Sequence, residues 1–274
     1  AVVDIPYGGA KGGVACQPRE MSAGEIERLM RAYTQAMSDV FGPDQDIPAP
    51  DMGTDAQTMA WLMDEFHRLE GFQPACVTGK PIHLFGAQGR EEATGRGVAL
   101  VAKSIIEEFD KKVEKTKVAI QGFGNVGRFT AAVCYEFGMK VVAISDITGM
   151  ISNKNGLDIP ELLKYKTIAE VPNHELEPAE DLFKTNCDIL IPAALGGVIK
   201  EENYHLLNTQ FIIEGANQPI TSEADRELRV SGVTIVPDIL ANSGGVMGSY
   251  FEWTQNIQQF SWDIEKFRKE LDSR

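Results

Sequence analysis

Five short segments in the second half of the chain constrain its fold more than anything else. VAIQG (118–122), KVVAISD (140–146), CDILIPAA (187–194), TQFIIEGAN (209–217) and GVTIVPD (232–238) are rich in β-branched residues and apolar at nearly every position. A strand with one wet face alternates apolar and polar residues, so near-continuous apolarity means burial on both faces. Polar or helix-patterned stretches separate the five. Such alternation builds a parallel sheet covered by helices, an α/β fold.

The first segment runs straight into GFGNVG, in which Gly122, Gly124 and Gly127 form G-x-G-x-x-G around Asn125 and Val126. Three spaced glycines alone say little. Here they follow a strand and open a helix, and that context gives each a task. The first makes the tight turn, the second lets backbone approach a pyrophosphate, and the third lets helix and strand touch. The helix N-terminus then offers free N–H groups and the positive end of its dipole to the phosphates. Asp146 ends the next strand, 24 residues beyond Gly122, where a carboxylate accepts hydrogen bonds from the adenosine ribose. The segment reads as a dinucleotide-binding, doubly wound, mostly parallel (Rossmann-type) sheet domain. A carboxylate at Asp146 repels a 2′-phosphate and favours NAD, with NADP kept as the alternative because Lys154 lies nearby. Three further strand ends carry small residues plus an amide: IPAALGG (191–197), EGANQP (214–219) and PDILANSGG (237–245). Asn217 and Asn242 there suit a nicotinamide ribose or carboxamide, though each also reads as a turn former.

The first third reads strand, loop, helix, loop, helix. Residues 1–6 are apolar and β-branched, which predicts a strand. YGGAKGG holds no regular element, because its glycines cost too much backbone entropy. Ser22 and Glu25 form a capping box ahead of Ile26, Leu29, Met30, Tyr33, Met37, Val40 and Phe41, a helix stopped by Gly42-Pro43. Further helices are predicted at about Asp55–Leu69, Val98–Phe109 and 245–270. Two side chains stand out between them. Lys11 is the one amine between paired glycines, and Asp51 is framed by Pro48 and Pro50. By residue type alone, Lys11 reads equally as a solvated charge and Asp51 as a cap for the next helix.

Composition removes several function classes. The formal charge is −14, which opposes nucleic acid and anionic membrane surfaces as partners. No apolar run approaches the ~20 residues of a membrane span. Cys16, Cys76, Cys134 and Cys187 stand alone and are expected as packed small hydrophobes in a reduced, cytoplasmic setting, with the mitochondrial matrix as the alternative. No pair of the four histidines has metal-ligand spacing, so no metal is expected.

Read in order, PYGGAKGG, DIPAPDMGT, VTGKP, GREEATGRG, GFGNVG, PAALGG, EGANQP and NSGGV followed by SYFEWTQN resemble the glutamate dehydrogenases. These belong to the glutamate/leucine/phenylalanine/valine dehydrogenase superfamily. The resemblance covers essentially the whole chain. It implies reversible oxidative deamination of L-glutamate to 2-oxoglutarate and ammonia with NAD(P). Lys11 matches the catalytic lysine that activates water, and Asp51 the acid that shuttles the amine proton. Thr94 matches a contact to the nicotinamide carboxamide. Ser249 matches a contact to the substrate side-chain carboxylate, and Val246 a wall of that pocket. Lys80 in TGK receives no role. The family often reads GGS where this chain has Phe85-Gly86-Ala87, so a hydroxyl contact there is not carried over.

The implied architecture adds part of a second α/β substrate domain to the nucleotide domain. Residues 1–85 belong to the substrate and oligomerisation domain, 86–244 bind the dinucleotide, and 245–274 form a helical segment returning across a cleft. A homo-oligomer, a hexamer by resemblance, is expected. The resemblance also places substrate-site residues before Ala1 and helices after Arg274, so the 274 residues are expected to be the middle of a longer chain. Two other readings stand beside this one: a dehydrogenase for an apolar amino acid, and a non-catalytic nucleotide-binding regulatory subunit. SYFEW argues against the first, because a serine hydroxyl facing an apolar side chain is left without a partner, costing ~1–3 kcal/mol. Retention of both proton-transfer groups argues against the second.

Overall fold

The computed structural model describes residues 2–274. The chain divides into two compact units, one made of Val3–Glu91 with Val246–Arg274, the other of Glu92–Gly245.

In the first unit, helix α1 (Ala23–Ala36) opens on the expected Ser22–Glu25 capping box. It stops five residues short of the predicted Phe41, because the chain must turn to bury that ring against Tyr33, centroids 5.6 Å apart. Helix α2 (Ala56–Glu70) starts from a second capping box, Asp55 with Thr58. Met59, Leu62, Met63 and Phe66 from α2 pack with Phe41, Cys76 and Val77 into this unit's core.

The strand expected at residues 1–6 is absent from the described part of that segment, which forms a turn and a bend with Asp4 at φ +47°. Apolar β-branched residues suit a strand, but a strand exists only where a neighbour pairs with its backbone. Among the described residues none does so here.

The second unit begins with α3 (Ala93–Glu108), five residues earlier than periodicity predicted. Two glycines in its first turns made the sequence look non-helical there. Tertiary packing overrides that cost. A Cβ on Gly95 would lie 2.6 Å from Phe129 Cβ and 2.7 Å from the Val126 carbonyl oxygen. The glycine is what allows the two helices to approach so closely. Next come β1 (Lys117–Gln121), α4 (Asn125–Glu136), β2 (Lys140–Asp146), β3 (Gly149–Ser152), α5 (Ile159–Leu162), β4 (Ile189–Pro192), β5 (Phe211–Ile213), α6 (Ser222–Val230), β6 (Thr234–Val236) and α7 (Asp238–Ala241).

All five predicted strands are present, and they are buried on both faces as their composition requires. The sheet order is β3-β2-β1-β4-β5-β6. Every pairing is parallel except β2 with β3. The strand β3 had no prediction; it is a short antiparallel edge, too brief for a periodicity signal. Chain order reverses between β1 and β4, and ligands of doubly wound sheets bind beyond the strand C-termini at that point.

The predicted helix at 245–270 is two helices, α8 (Gly244–Gln258) and α9 (Ile264–Asp272). Gln259 at φ +54° breaks the run, and Asp263 caps the restart. The boundary between the two units falls inside α8. Cys76, Cys134 and Cys187 are buried, as expected, whereas Cys16 is exposed on an extended segment without elements to cover it. No helix among the described residues is long and apolar enough to cross a membrane. No group of three His, Cys, Asp or Glu among them converges as metal ligands do.

Candidate functional site

The nucleotide end of the second unit is built by the three glycines after β1. Gly122 sits at φ +105°, and its N–H donates to the Ser145 carbonyl at 2.8 Å, so the turn is tied to the end of β2. A Cβ there would lie 2.8 Å from the Ala193 carbonyl oxygen after β4. At Gly127 a Cβ would lie 1.9 Å from the Gly122 carbonyl oxygen, so α4 rests directly on the turn. At Gly124 a Cβ would meet nothing within 4 Å. Gly124 is also the N-cap of α4, and no side chain caps that end. The first-turn N–H groups of Asn125, Val126 and Gly127 lack intrahelical partners by geometry. Open space over an uncapped helix end, lined by backbone donors, fits a pyrophosphate.

Asp146 closes β2 beside this turn, but its carboxylate is already engaged. Oδ1 accepts from the Thr148 N–H at 2.7 Å and from the Thr148 hydroxyl, and Oδ2 accepts from the Ile168 N–H at 2.8 Å. Of the roughly four acceptor positions on a carboxylate, about one remains for a ribose hydroxyl. Asn217 and Asn242 come together: the Asn242 amide donates to Asn217 Oδ1 at 2.8 Å. The Thr94 hydroxyl lies against Gly245, where an added Cβ would approach it to 2.5 Å.

In the first unit, the Lys11 ammonium and the Asp51 carboxylate form an ion pair. Both side chains are largely exposed, at 81% and 55%. The hydrogen bond from Lys11 holds the Asp51 carboxyl below its ordinary range; the Met52 N–H, donating to Oδ1 at 2.7 Å, assists, and partial burial opposes. The Asp51 loop is fixed from behind. Its N–H donates to Thr54 Oγ1 at 2.7 Å, the Thr78 N–H donates to the Pro48 carbonyl at 2.9 Å, and the Pro50 ring sits on Gly79.

Val246 and Ser249 lie on α8. Val246 is exposed and Ser249 buried. The Ser249 hydroxyl accepts from Arg90 Nε at 3.0 Å. Desolvation pulls the Arg90 guanidinium below its ordinary pKa, against the pull of Glu252. Among the described residues no carboxylate lies within ion-pair distance of Arg90. One helical turn along α8 from Ser249, Glu252 is fully buried and ion-pairs at 2.7 Å with Lys80, whose side chain is also fully buried. Sequence reading missed Arg90 and Glu252 and left Lys80 idle. The available signals were an arginine beside a glycine in GREEATG, and a lone acid in an aromatic run, three residues from Ser249.

The family profile described as "Glutamate/Leucine/Phenylalanine/Valine dehydrogenase" matches residues 86–274. A companion profile, "Glu/Leu/Phe/Val dehydrogenase, dimerisation domain", matches residues 1–68. The NAD-specific glutamate dehydrogenase A of Halobacterium salinarum is 47% identical over 100% of this chain and 64% of its own length. A hetero-hexameric glutamate dehydrogenase from Thermus thermophilus, in a Leu-bound form, superposes with a TM-score of 0.92 at 36% identity, covering 99% of this chain and 66% of the other. Glutamate dehydrogenase from Peptoniphilus asaccharolyticus gives 0.85 at 38% identity, with the same two coverages. The chain therefore spans somewhat less than two-thirds of the length of these relatives.

Proposed function

The chain belongs to the glutamate/leucine/phenylalanine/valine dehydrogenase family, and from that premise we propose that it carries the catalytic residues of an NAD-dependent L-glutamate dehydrogenase. The reaction takes L-glutamate, water and NAD to 2-oxoglutarate, ammonia and reduced cofactor, and runs in both directions. The observation that carries the reading is the Lys11–Asp51 pair, one amine and one carboxylate in direct contact, the carboxylate on a loop seated through Pro50 on Gly79.

In this mechanism Asp51, kept ionised by Lys11, accepts a proton from the substrate ammonium and later returns one as ammonia leaves. Lys11, acting as the free amine once its own proton has left, orients the water that adds to the imino carbon of the substrate and takes that water's proton. NAD, when bound, supplies the hydride acceptor. The residues that would hold it are the turn at Gly122, Gly124 and Gly127, the α4 amides of Asn125 and Val126, Asp146, Thr94, Asn217 and Asn242. The engaged carboxylate of Asp146 favours a ribose hydroxyl over a 2′-phosphate, because a second anion there meets an existing one.

Arg90 and Ser249 favour a dicarboxylic substrate. A partly desolvated guanidinium without a carboxylate partner is costly until an anion reaches it. An apolar amino acid leaves that cost standing. Val246 supplies the apolar wall of the same pocket. In this reading the unit of Val3–Glu91 with Val246–Arg274 serves substrate binding and assembly, and the unit of Glu92–Gly245 serves the dinucleotide. The hexamer implied by the family resemblance is part of the proposal, as are a soluble cytoplasmic location and the absence of nucleic-acid or membrane partners.

The test is an assay of reductive amination with 2-oxoglutarate, ammonia and reduced cofactor, run on the natural full-length protein beside Lys11→Ala and Asp51→Asn. General acid–base groups contribute typically ~10²–10⁴-fold, so each variant is expected to lose at least about 10²-fold in kcat while its NAD affinity stays within about twofold. Near-parental turnover in either would remove that residue from the mechanism.

A further inference from the structure

One turn of α8 gathers the segments that carry the proposed chemistry. Ser249 meets Arg90. Tyr250 and Trp253 pack against Tyr7, with centroids 5.4 and 5.9 Å apart, four residues before Lys11 in the glycine-rich loop. Glu252 reaches the TGK segment. Its Oε2 accepts from the Gly79 N–H at 3.1 Å, and its Oε1 accepts from the Lys80 N–H at 3.3 Å and from Lys80 Nζ at 2.7 Å. Lys80 Nζ also donates to the Val77 carbonyl. One carboxylate thus holds two successive backbone amides and the ammonium of the second residue.

The held segment is the seat of the Asp51 loop. Gly79, at φ +79°, presents a bare Cα to the Pro50 ring; an added Cβ would fall 2.4 Å from Pro50 Cδ. The neighbouring Thr78 N–H ties down the Pro48 carbonyl. Asp51 follows Pro50 directly, so any shift of Gly79 passes through a rigid ring to the carboxylate. Buried ion pairs are seldom kept for stability alone, since well-packed apolar replacements often do as well. Here both charges are fully buried, and the pair fixes backbone rather than solvent-facing groups.

We propose that Lys80 and Glu252 are positioning residues: their buried pair locks the Gly79 seat and so sets the Asp51 carboxylate against Lys11. They touch neither substrate nor cofactor in this assignment. The proposal rests on the reading of Asp51 as the proton-transfer acid.

The experiment compares the natural full-length protein with the double variant Lys80→Met/Glu252→Met, which removes both charges and avoids a lone buried one. Misplacement of a catalytic group by about 1 Å costs on the order of 10²-fold. The expected result is a folded protein with parental melting behaviour, kcat for glutamate deamination down about 10²-fold, and KM for glutamate and NAD within about threefold. The loss must also be absent in an Asp51→Asn background, since residues acting through one group are not additive. A merely structural role would lower activity equally in both backgrounds.

A folded double variant with parental kcat overturns the proposal. So does a loss that persists undiminished beside Asp51→Asn. If the double variant does not fold, Pro50→Ala decides: it leaves the ion pair intact and removes only the ring that transmits it. A drop in kcat of about 10-fold, again absent beside Asp51→Asn, supports the proposal, and parental kcat overturns it. A parental protein that deaminates no glutamate refutes the functional reading itself, a result distinct from both.

Discussion

Replacing two glycines of the same turn by alanine should produce opposite kinds of damage. At Gly127 an added Cβ falls 1.9 Å from the Gly122 carbonyl oxygen and 2.8 Å from its carbonyl carbon. Ordinary contact begins near 3.4 Å, so helix and turn must separate by about 1.5 Å. The obstacle is backbone on a strand end that is hydrogen-bonded to Ser145, which cannot rotate away as a side chain does. Overpacking typically costs 1–3 kcal/mol, and a backbone obstacle puts Gly127→Ala at the top of that range, about 3 kcal/mol. For a unit of this size each kcal/mol moves Tm by ~2–4 °C, which gives a fall of about 6–12 °C.

At Gly124 an added methyl meets nothing, and the backbone is at φ −81°, which alanine adopts freely. The entropy gained from a stiffer unfolded chain, about 0.4–1 kcal/mol, nearly offsets the poorer N-cap. Tm should stay within about 2 °C. The methyl does occupy the space where backbone must approach a pyrophosphate, so NAD affinity should fall at least about 30-fold, or ~2 kcal/mol. Calorimetric melting without cofactor and NAD titration together separate the two effects. Parental melting of Gly127→Ala, or parental NAD affinity of Gly124→Ala, would refute the assignment of that glycine.

Other outcomes follow from single contacts. Arg90→Met should raise KM for glutamate at least about 10²-fold, the loss of a charge-assisted contact, while NAD affinity is unchanged; unaltered KM would show that Arg90 does not meet the substrate. Glu214 is buried, and desolvation with the nearby Asp238 carboxylate raises its pKa above the ordinary range. A raised folded-state pKa contributes stability below the unfolded value that disappears as pH climbs through the folded value. Glu214→Gln cannot ionise but can still accept from the Asp238 N–H, bonded at 2.9 Å in the parent. The variant should therefore gain on the parent as pH rises from about 4, seen in denaturant melts across pH; a constant difference would count against a shifted Glu214. Glu252→Ala leaves the Lys80 charge buried alone and should cost about 3–5 kcal/mol in the same melts.

The nucleotide half was almost wholly legible in the sequence, and its residues show why. The signal for β1 is its own apolarity, that for the turn is the spacing of Gly122, Gly124 and Gly127, and that for α4 is the helical pattern directly behind it. All of these act within a few residues. Legibility failed where long-range packing overrode local preference. Residues 2–6 have strand composition but, among the described residues, no neighbour to pair with. Gly95 reads as a helix breaker, yet it opens α3 because only glycine lets α4 approach so closely. The helix after Gly245 is one run by periodicity and two in the structure, because Gln259 turns left-handed.

The sequence by itself determined the doubly wound sheet and its phosphate-binding turn. It also singled out Lys11 and Asp51, because glycine and proline spacing mark them in the chain. Tertiary structure decided which charges are desolvated and by whom. Arg90 finds Ser249 across 159 residues, and Lys80 finds Glu252 across 172. A side chain's composition fixes its charge, but burial and partner fix what that charge can do. Those depend on segments that no local pattern connects.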